Sequence, residues 1–314
     1  MRNAFVNAIY KLAEKDDRIV LLTGDLGFKL FENFASRFPG RFINAGIAET
    51  NMITVAAGMA MEGFKPFVYS ITPFVTVKCL EQIRNDLAYH GSNVVIVGIG
   101  SGFSYGFDGP SHFAVEDIAV LRPIPGIKIV CPADPVETEA VMRWIGNNDS
   151  GPLYLRLGKS DPVIHCALID FELDIATTLC PGKDVVILST GNMLGTAVKV
   201  SELLAINNDI GCRVISVPTI KPFNKDIVNI VASEYSHIVT LEEHSVVGGF
   251  GSAVAEYLME IRHQSLLYRF AIPDRIFNEV GDQKYLREQA HLSAESVYMA
   301  ILEAKFFKHE MVGE

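Results

Sequence analysis

The sequence predicts an α/β fold in two domains, each a mainly parallel sheet flanked by helices, and three observations carry that prediction. Short β-branched runs alternate with helix-patterned segments along the chain. The alternation stops once, near the middle, and then resumes. The 314 residues suffice for two cores, at roughly 100–200 residues for each domain.

The first domain is read over residues 1–165. A helix over 2–14 precedes a strand over 18–23 that ends at Gly24. The small-residue run at 48–61 is helical, and 67–69 is a weaker strand. A helix over 76–89 leads to a strand over 93–97, closed by Gly98. A strand at 128–130 is stopped by Cys131-Pro132. Asp134-Pro135 reads as an N-cap with proline at the first helical position, opening a helix over 135–145. A strand over 153–157 completes the series. Residues 160–183 carry Asp161-Pro162 and Pro181-Gly182 without periodicity, and 166–183 is read as the linker. The second domain, 184–314, repeats the alternation. Its strands are expected at 185–189, 213–217, 237–241 and 267–272, and its helices at 195–206, 226–234, 251–259 and 293–304.

Composition narrows the function. The formal net charge of −10 argues against nucleic acid as a partner, because phosphate backbones demand a basic surface. No apolar run approaches the ~18 residues of a membrane span. The longest uncharged stretch, 91–107, is broken by glycine and serine. The first ten residues lack a signal-peptide core, so a cytoplasmic location is expected, and the sequon Asn148-Asp149-Ser150 then carries no glycan. Five widely spaced cysteines (Cys79, Cys131, Cys166, Cys180, Cys212) without a CxxC read as buried, inert thiols, and no metal site is expected in this chain.

In open α/β sheets, ligands sit beyond the carboxyl ends of strands. The loops after Gly24, Gly98 and Leu157 are therefore the places to look. The Gly98 loop is rich in glycine but has Phe103 where a dinucleotide fingerprint needs its third glycine. Asp108 and His112 close that loop, and Gly109-Pro110 between them argues for a turn rather than a helix. Glu49 opens a helix that is apolar on nearly all sides. Buried there, its carboxyl needs a partner, hydrogen bonds or a proton. An exposed helix cap would also satisfy it, and both readings stay open here.

Gly46-Ile47-Ala48-Glu49-Thr50-Asn51-Met52, with Ala57-Gly58-Met59-Ala60, resembles the glutamate motif of thiamine-diphosphate enzymes of the transketolase family. Asp108-Gly109-Pro110-Ser111-His112 resembles that family's substrate-site motif. The likeness continues through Leu121-Arg122, Ile124-Pro125, Cys131-Pro132-Ala133-Asp134 and Glu242-Glu243-His244-Ser245. It covers the pyrimidine-binding and C-terminal domains of the family. The resemblance implies that Glu49 shares a proton with N1′ of the cofactor aminopyrimidine, for which a raised pKa is suited. It implies that Phe74 stacks on that ring, that Ile71 replaces a second family aromatic, and that Asp25 stands near the thiazolium side. It assigns His112 to donor oxygens and Asp108 to a sugar hydroxyl.

At the anion end the pattern departs from the family. The usual histidine is Gly100, the usual arginine is Lys159, and a usual serine is Lys29, while Arg2 remains. Lysine binds phosphate as a point charge, without arginine's planar fork. Lys29 and Lys159 also fit plain surface charges. Thr23-Gly24-Asp25-Leu26 lacks the second glycine of the family's diphosphate motif, and the chain starts almost at the pyrimidine domain. The resemblance therefore implies a split enzyme. A diphosphate-binding partner subunit would hold a divalent metal such as Mg2+, with thiamine diphosphate between the subunits of an α2β2 heterotetramer. The expected activity is transfer of a two-carbon ketol unit between sugars or sugar phosphates. The alternatives are a 1-deoxyxylulose-phosphate synthase-like carboligase, the beta chain of a 2-oxo acid dehydrogenase and a non-catalytic regulatory subunit.

Overall fold

Among the described residues, twelve strands divide between two sheets. They are β1 (Ile19–Thr23), β2 (Phe42–Asn44), β3 (Lys65–Ile71), β4 (Val95–Ile99), β5 (Lys128–Val130), β6 (Leu153–Leu157), β7 (Thr177–Cys180), β8 (Val185–Ser189), β9 (Cys212–Ser216), β10 (Thr219–Lys221), β11 (His237–Ser245) and β12 (Leu266–Ile272). This computed structural model describes residues 1–149, 151–159, 162–165 and 169–304. Ser150, Asp161, Cys166 and the stretch 305–314 lie outside the described residues, and with them part of the expected linker and the end of the expected second domain.

The first sheet runs β10-β5-β6-β4-β3-β1-β2 and the second β12-β11-β8-β9-β7. All pairings are parallel except β10 on β5 and β7 on β9. β1, β4, β6 and β8 are buried at every residue. Parallel strands covered on both faces must be, and that is why they read as nearly continuous apolar runs. The helix Glu49–Met61 covers one face of the first sheet through Met52, Ile53, Ala56 and Ala57. The helices Arg2–Ala13 and Pro135–Asn147 cover the other. The Asp134 side chain caps the latter by accepting from the Glu137 amide at 2.8 Å. One apolar cluster continues from Ile53 and Val68 through Tyr154 to Val186 and Val254, so the two sheets share a core.

Beyond the short additions Glu32–Arg37, Phe42–Asn44 and Asp117–Leu121, four elements depart from the sequence expectation. The segment expected as a helix over 76–89 breaks into short turns and a π-helical stretch, Ile83–Ala88. Thr76 Oγ1 donates to the Thr72 carbonyl at 2.6 Å, a local bond that bends a helix. The stretch read as linker contains β7, a half-exposed edge strand too short to show alternation. β10, flanked by Pro218 and Pro222, leaves the second domain's sequence to extend the first domain's sheet. Prolines tolerate such an edge position but erase its strand signal. The helix Gln283–Gln289 buries only Leu286, so no apolar period marks it.

A polar seam joins the domains. Asp117 is fully buried and accepts from Arg156 Nε at 2.7 Å and from Tyr154 Oη at 2.6 Å. Arg156 also donates to the carbonyls of Ala114 and Glu243, at 2.8 and 3.0 Å. The His244 ring accepts from the Ala119 amide at 3.2 Å through Nε2. The Glu243 carboxylate gathers Arg287, Asn192 and Gln283, and Gln283 also donates to Ser104 Oγ at 3.2 Å. Glu242 accepts from the Phe250 and Gly251 amides, both at 2.7 Å. The Glu242-Glu243-His244 run is thus a structural joint. Cys79, Cys131 and Cys212 are buried free thiols, Cys180 is half-buried, and burial pushes Cys79 and Cys212 up to about 12.

Glu242 gives a signed pH effect. Burial pushes its carboxyl up to about 7 from an ordinary 4.5, against the pull of its two amide donors. Between those values the folded chain holds a proton that the unfolded chain has released. Its contribution to stability is therefore full at low pH and drains away as pH climbs to about 7. His244, pushed by burial down to about 4, runs the opposite way. Glu242→Gln removes only the first slope. The melting temperature of the variant relative to wild type should rise between about pH 5 and 7.5 in differential scanning fluorimetry. A difference that does not change with pH would show that no proton is held there.

Candidate active site

β6, β4, β3 and β1 are parallel neighbours, so their carboxyl ends open along one edge of the sheet. The loops leaving those ends carry Lys159, Asp108 and His112, Phe74, and Asp25. Glu49 joins them from the helix that follows β2.

Glu49 is 2% exposed. Its Oε1 accepts from Ser70 Oγ at 3.1 Å, and its Oε2 pairs with Lys78 Nζ at 2.8 Å. The buried carboxyl is thus both paired and hydrogen-bonded, and the exposed-cap alternative is excluded. A Cβ at Gly24 would stand 3.0 Å from Oε1, so glycine allows the end of β1 to approach this closely. The Lys78 side chain is 46% exposed, so the outer oxygen of Glu49 is paired with a group that reaches solvent. Sequence reasoning missed Ser70 and Lys78. Ser70 sits at a fully buried position between Tyr69 and Ile71, and an isolated small polar residue inside an apolar strand was the available signal. Lys78 arrives through the irregular turn after β3, which has no periodic signature.

Asp25 is exposed and in the left-handed region, at φ 56°. Its amide donates to Asn44 Oδ1 at 3.1 Å, and Asn44 Nδ2 donates back to Asp25 Oδ1 at 3.0 Å. Asn44 Oδ1 also accepts from the Gly46 amide at 3.0 Å. Asn44, a third residue that sequence reasoning gave no role, clips the Asp25 loop to the Glu49 loop.

The Asp108–His112 stretch forms two 3-10 turns, Gly106–Asp108 and Pro110–His112, as the Gly109-Pro110 pair implied. A two-residue bridge between Gly102 and Ala114 closes the base of the loop. The His112 ring meets Phe74 edge to face, with centroids 5.2 Å apart. Its Nδ1 lies 3.0 Å from Ser111 Oγ. Ile71 ends β3 and packs with Tyr105 against the same apolar cluster. Asp108 is exposed beside them.

At the far side, Lys159 Nζ stands 4.6 Å from the Tyr105 ring centroid. Arg2, on the first turn of the chain's first helix, bears electrostatically on the phenols of Tyr69 and Tyr105. Lys29 is exposed and left-handed, at φ 64°, with its amide donating to Glu32 Oε1 at 2.6 Å. Among the described residues no side-chain contact joins Lys29 to Arg2 or Lys159. The structure therefore packs Phe74 against His112, sets Lys159 and Arg2 about Tyr105, and holds Glu49 at the same edge of the sheet on Ser70 and Lys78. A hollow of about 730 Å3 beside Arg84, Tyr89 and Ile124 is lined by none of these. Among the described residues no cluster of three His, Cys, Asp or Glu side chains is arranged to hold a metal. No described helix is long and apolar enough to cross a membrane.

Comparison with known proteins identifies both domains. Residues 1–162 match the family description "Transketolase, pyrimidine binding domain" and residues 175–297 match "Transketolase, C-terminal domain". A 6-deoxy-6-sulfo-D-fructose transketolase subunit of Clostridium sp. (strain MSTE9) is 38% identical over 98% of this chain and 96% of its own. An apulose-4-phosphate transketolase subunit of Phocaeicola vulgatus is 35% identical over 82% of this chain and 83% of its own. A solved structure described as a split gene transketolase, inactive beta4 tetramer, superimposes with a TM-score of 0.85 at 34% identity, covering 96% of this chain and 97% of that one. The chain therefore belongs to the transketolase family, whose pyrimidine-binding and C-terminal domains it carries.

Proposed function

We propose that the chain is the C-terminal subunit of a split, thiamine-diphosphate-dependent transketolase that transfers a two-carbon ketol unit between sugars. One observation carries this reading: a buried carboxylate at the carboxyl edge of the sheet, with Phe74 and His112 packed together in the same loop cluster. Relatives matched over most of their own length are named as transketolase subunits, which supports a partner chain.

The donor set fits the aminopyrimidine half of the cofactor. Glu49 offers a buried acceptor with one oxygen on a lysine that reaches solvent, and Phe74 offers a half-buried ring. When bound, thiamine diphosphate supplies an acidic thiazolium carbon that becomes the nucleophile. Glu49 shares a proton with the N1′ nitrogen, where a carboxyl group in a desolvated site is an effective acid–base partner. Phe74 and Ile71 exclude water from that side. Asp25 holds its loop to the Glu49 loop through Asn44. His112 donates to the substrate oxygen as negative charge develops there, and Asp108 accepts from a sugar hydroxyl. Arg2, Lys159 and Lys29 attract the charged end of the substrate. The diphosphate and a divalent metal are held by the partner subunit.

An α2β2 assembly follows from this reading. Mass photometry of the chain co-expressed with a diphosphate-domain subunit should show a heterotetramer with ketol-transfer activity. A chain that is active alone would overturn the split assignment.

A further inference from the structure

Tyr105 lies in the glycine loop but in none of the motifs that carry the family likeness. Its ring rests on the backbone of Gly100, at φ 92°, where an added Cβ would stand 2.1 Å from Tyr105 Cδ2. Only glycine leaves room for the ring there. The ring centroid is 6.5 Å from that of His112, and Lys159 Nζ stands 4.6 Å from it. Three elements thus place this phenol between the group around His112 and the cations.

Arg2 Nε is buried without a hydrogen-bond partner among the described residues. Neither Arg2 nor Lys159 makes an ion pair among them, and the Tyr105 O–H finds no acceptor there. At the Tyr105 phenol Arg2 bears more strongly than the exposed Asp108, the acidic group that also acts there, so the local potential is positive in a chain of net charge −10. Cations alone attract any anion. A neutral O–H on a fixed ring adds one directed hydrogen bond, which is stronger to a charged acceptor than to a neutral one. Burial keeps the phenol above its ordinary 10, so it remains a donor rather than a second negative charge.

We propose that Tyr105 is the specificity-determining residue of this chain: its O–H donates to a tetrahedral oxyanion, phosphate ester or sulfonate, that Arg2 and Lys159 draw to the sugar end remote from the reacting carbonyl. The assignment rests on the substrate reading above and deepens it.

Isothermal titration calorimetry of the full chain with inorganic phosphate, and separately with methanesulfonate at constant ionic strength, tests it without any turnover. Wild type should bind one or both saturably, and the stronger of the two names the oxyanion. Y105F keeps the ring on Gly100 and should weaken binding about tenfold or more, the worth of a hydrogen bond to a charged group. The double variant R2A/K159A should abolish it. Equal affinity of wild type and Y105F, or no saturable binding by wild type, overturns the proposal. In the assembled enzyme, Y105F should raise KM for the oxyanion-bearing ketose while kcat stays within about twofold. An unchanged KM there also overturns it. An assembled enzyme inert toward every ketose would instead defeat the transketolase reading and leave the calorimetric comparison standing.

Discussion

Glu49→Gln should reduce ketol transfer by the reconstituted complex by roughly a hundred- to ten-thousandfold, the range over which a positioned acid–base group acts. The amide keeps the size of the carboxyl group and still accepts from Ser70, so the fold should survive. Losing the pair with Lys78 costs little, because that lysine is 46% exposed and solvent screens it. A melting temperature near wild type would confirm that the loss is chemical. What disappears is the ability to share a proton. Turnover equal to wild type in the same complex would remove Glu49 from the reaction and with it the main support for the activity.

The second large effect concerns stability. Arg156→Ala leaves the Asp117 carboxylate in the seam without its cation, and Asp117→Ala leaves Arg156 likewise stranded. Both groups are almost wholly buried. Breaking such a pair from one side costs about 3–5 kcal/mol, a fall in melting temperature on the order of 10 °C. Arg156 also stabilises the Asp117 carboxylate against protonation, which holds that carboxyl below its ordinary range despite burial. The double change Asp117→Leu with Arg156→Met should recover much of the loss, since it removes both charges together. Thermal and urea denaturation of the two single variants and the double variant measure this. Single variants as stable as wild type would show that the seam is solvated and carries no such load.

What could be read from the sequence follows from how each signal is written. β1, β4, β6 and β8 are covered on both faces, so apolar residues run on and the strands announce themselves. Glu49 was conspicuous because a carboxyl group inside an apolar helix demands an explanation. His112 and Asp108 were conspicuous because glycine and proline fix the turns around them. Lys78 carried no such mark, because its role depends on a turn whose shape comes from Thr76 and its neighbours rather than from any period, and Ser70 carried only the faint one of a small polar residue inside an apolar strand. Asn44 lay beside the glutamate motif, but its double clip to Asp25 and Gly46 exists only once the two loops meet. Tyr105 went unread for a related reason: its position is set by the empty space above Gly100, and a missing side chain leaves no pattern.

β10 changes what counts as a unit of synthesis. The edge of the first sheet at β5 is closed by Thr219–Lys221, which leave the ribosome only after β8 and β9 have been made. Until then β5 offers open amides and carbonyls to any passing strand, the state in which nascent chains mispair. The early half of the molecule must therefore wait, unfinished, for the later half. A fragment cut at the connector would keep that open edge for as long as it existed.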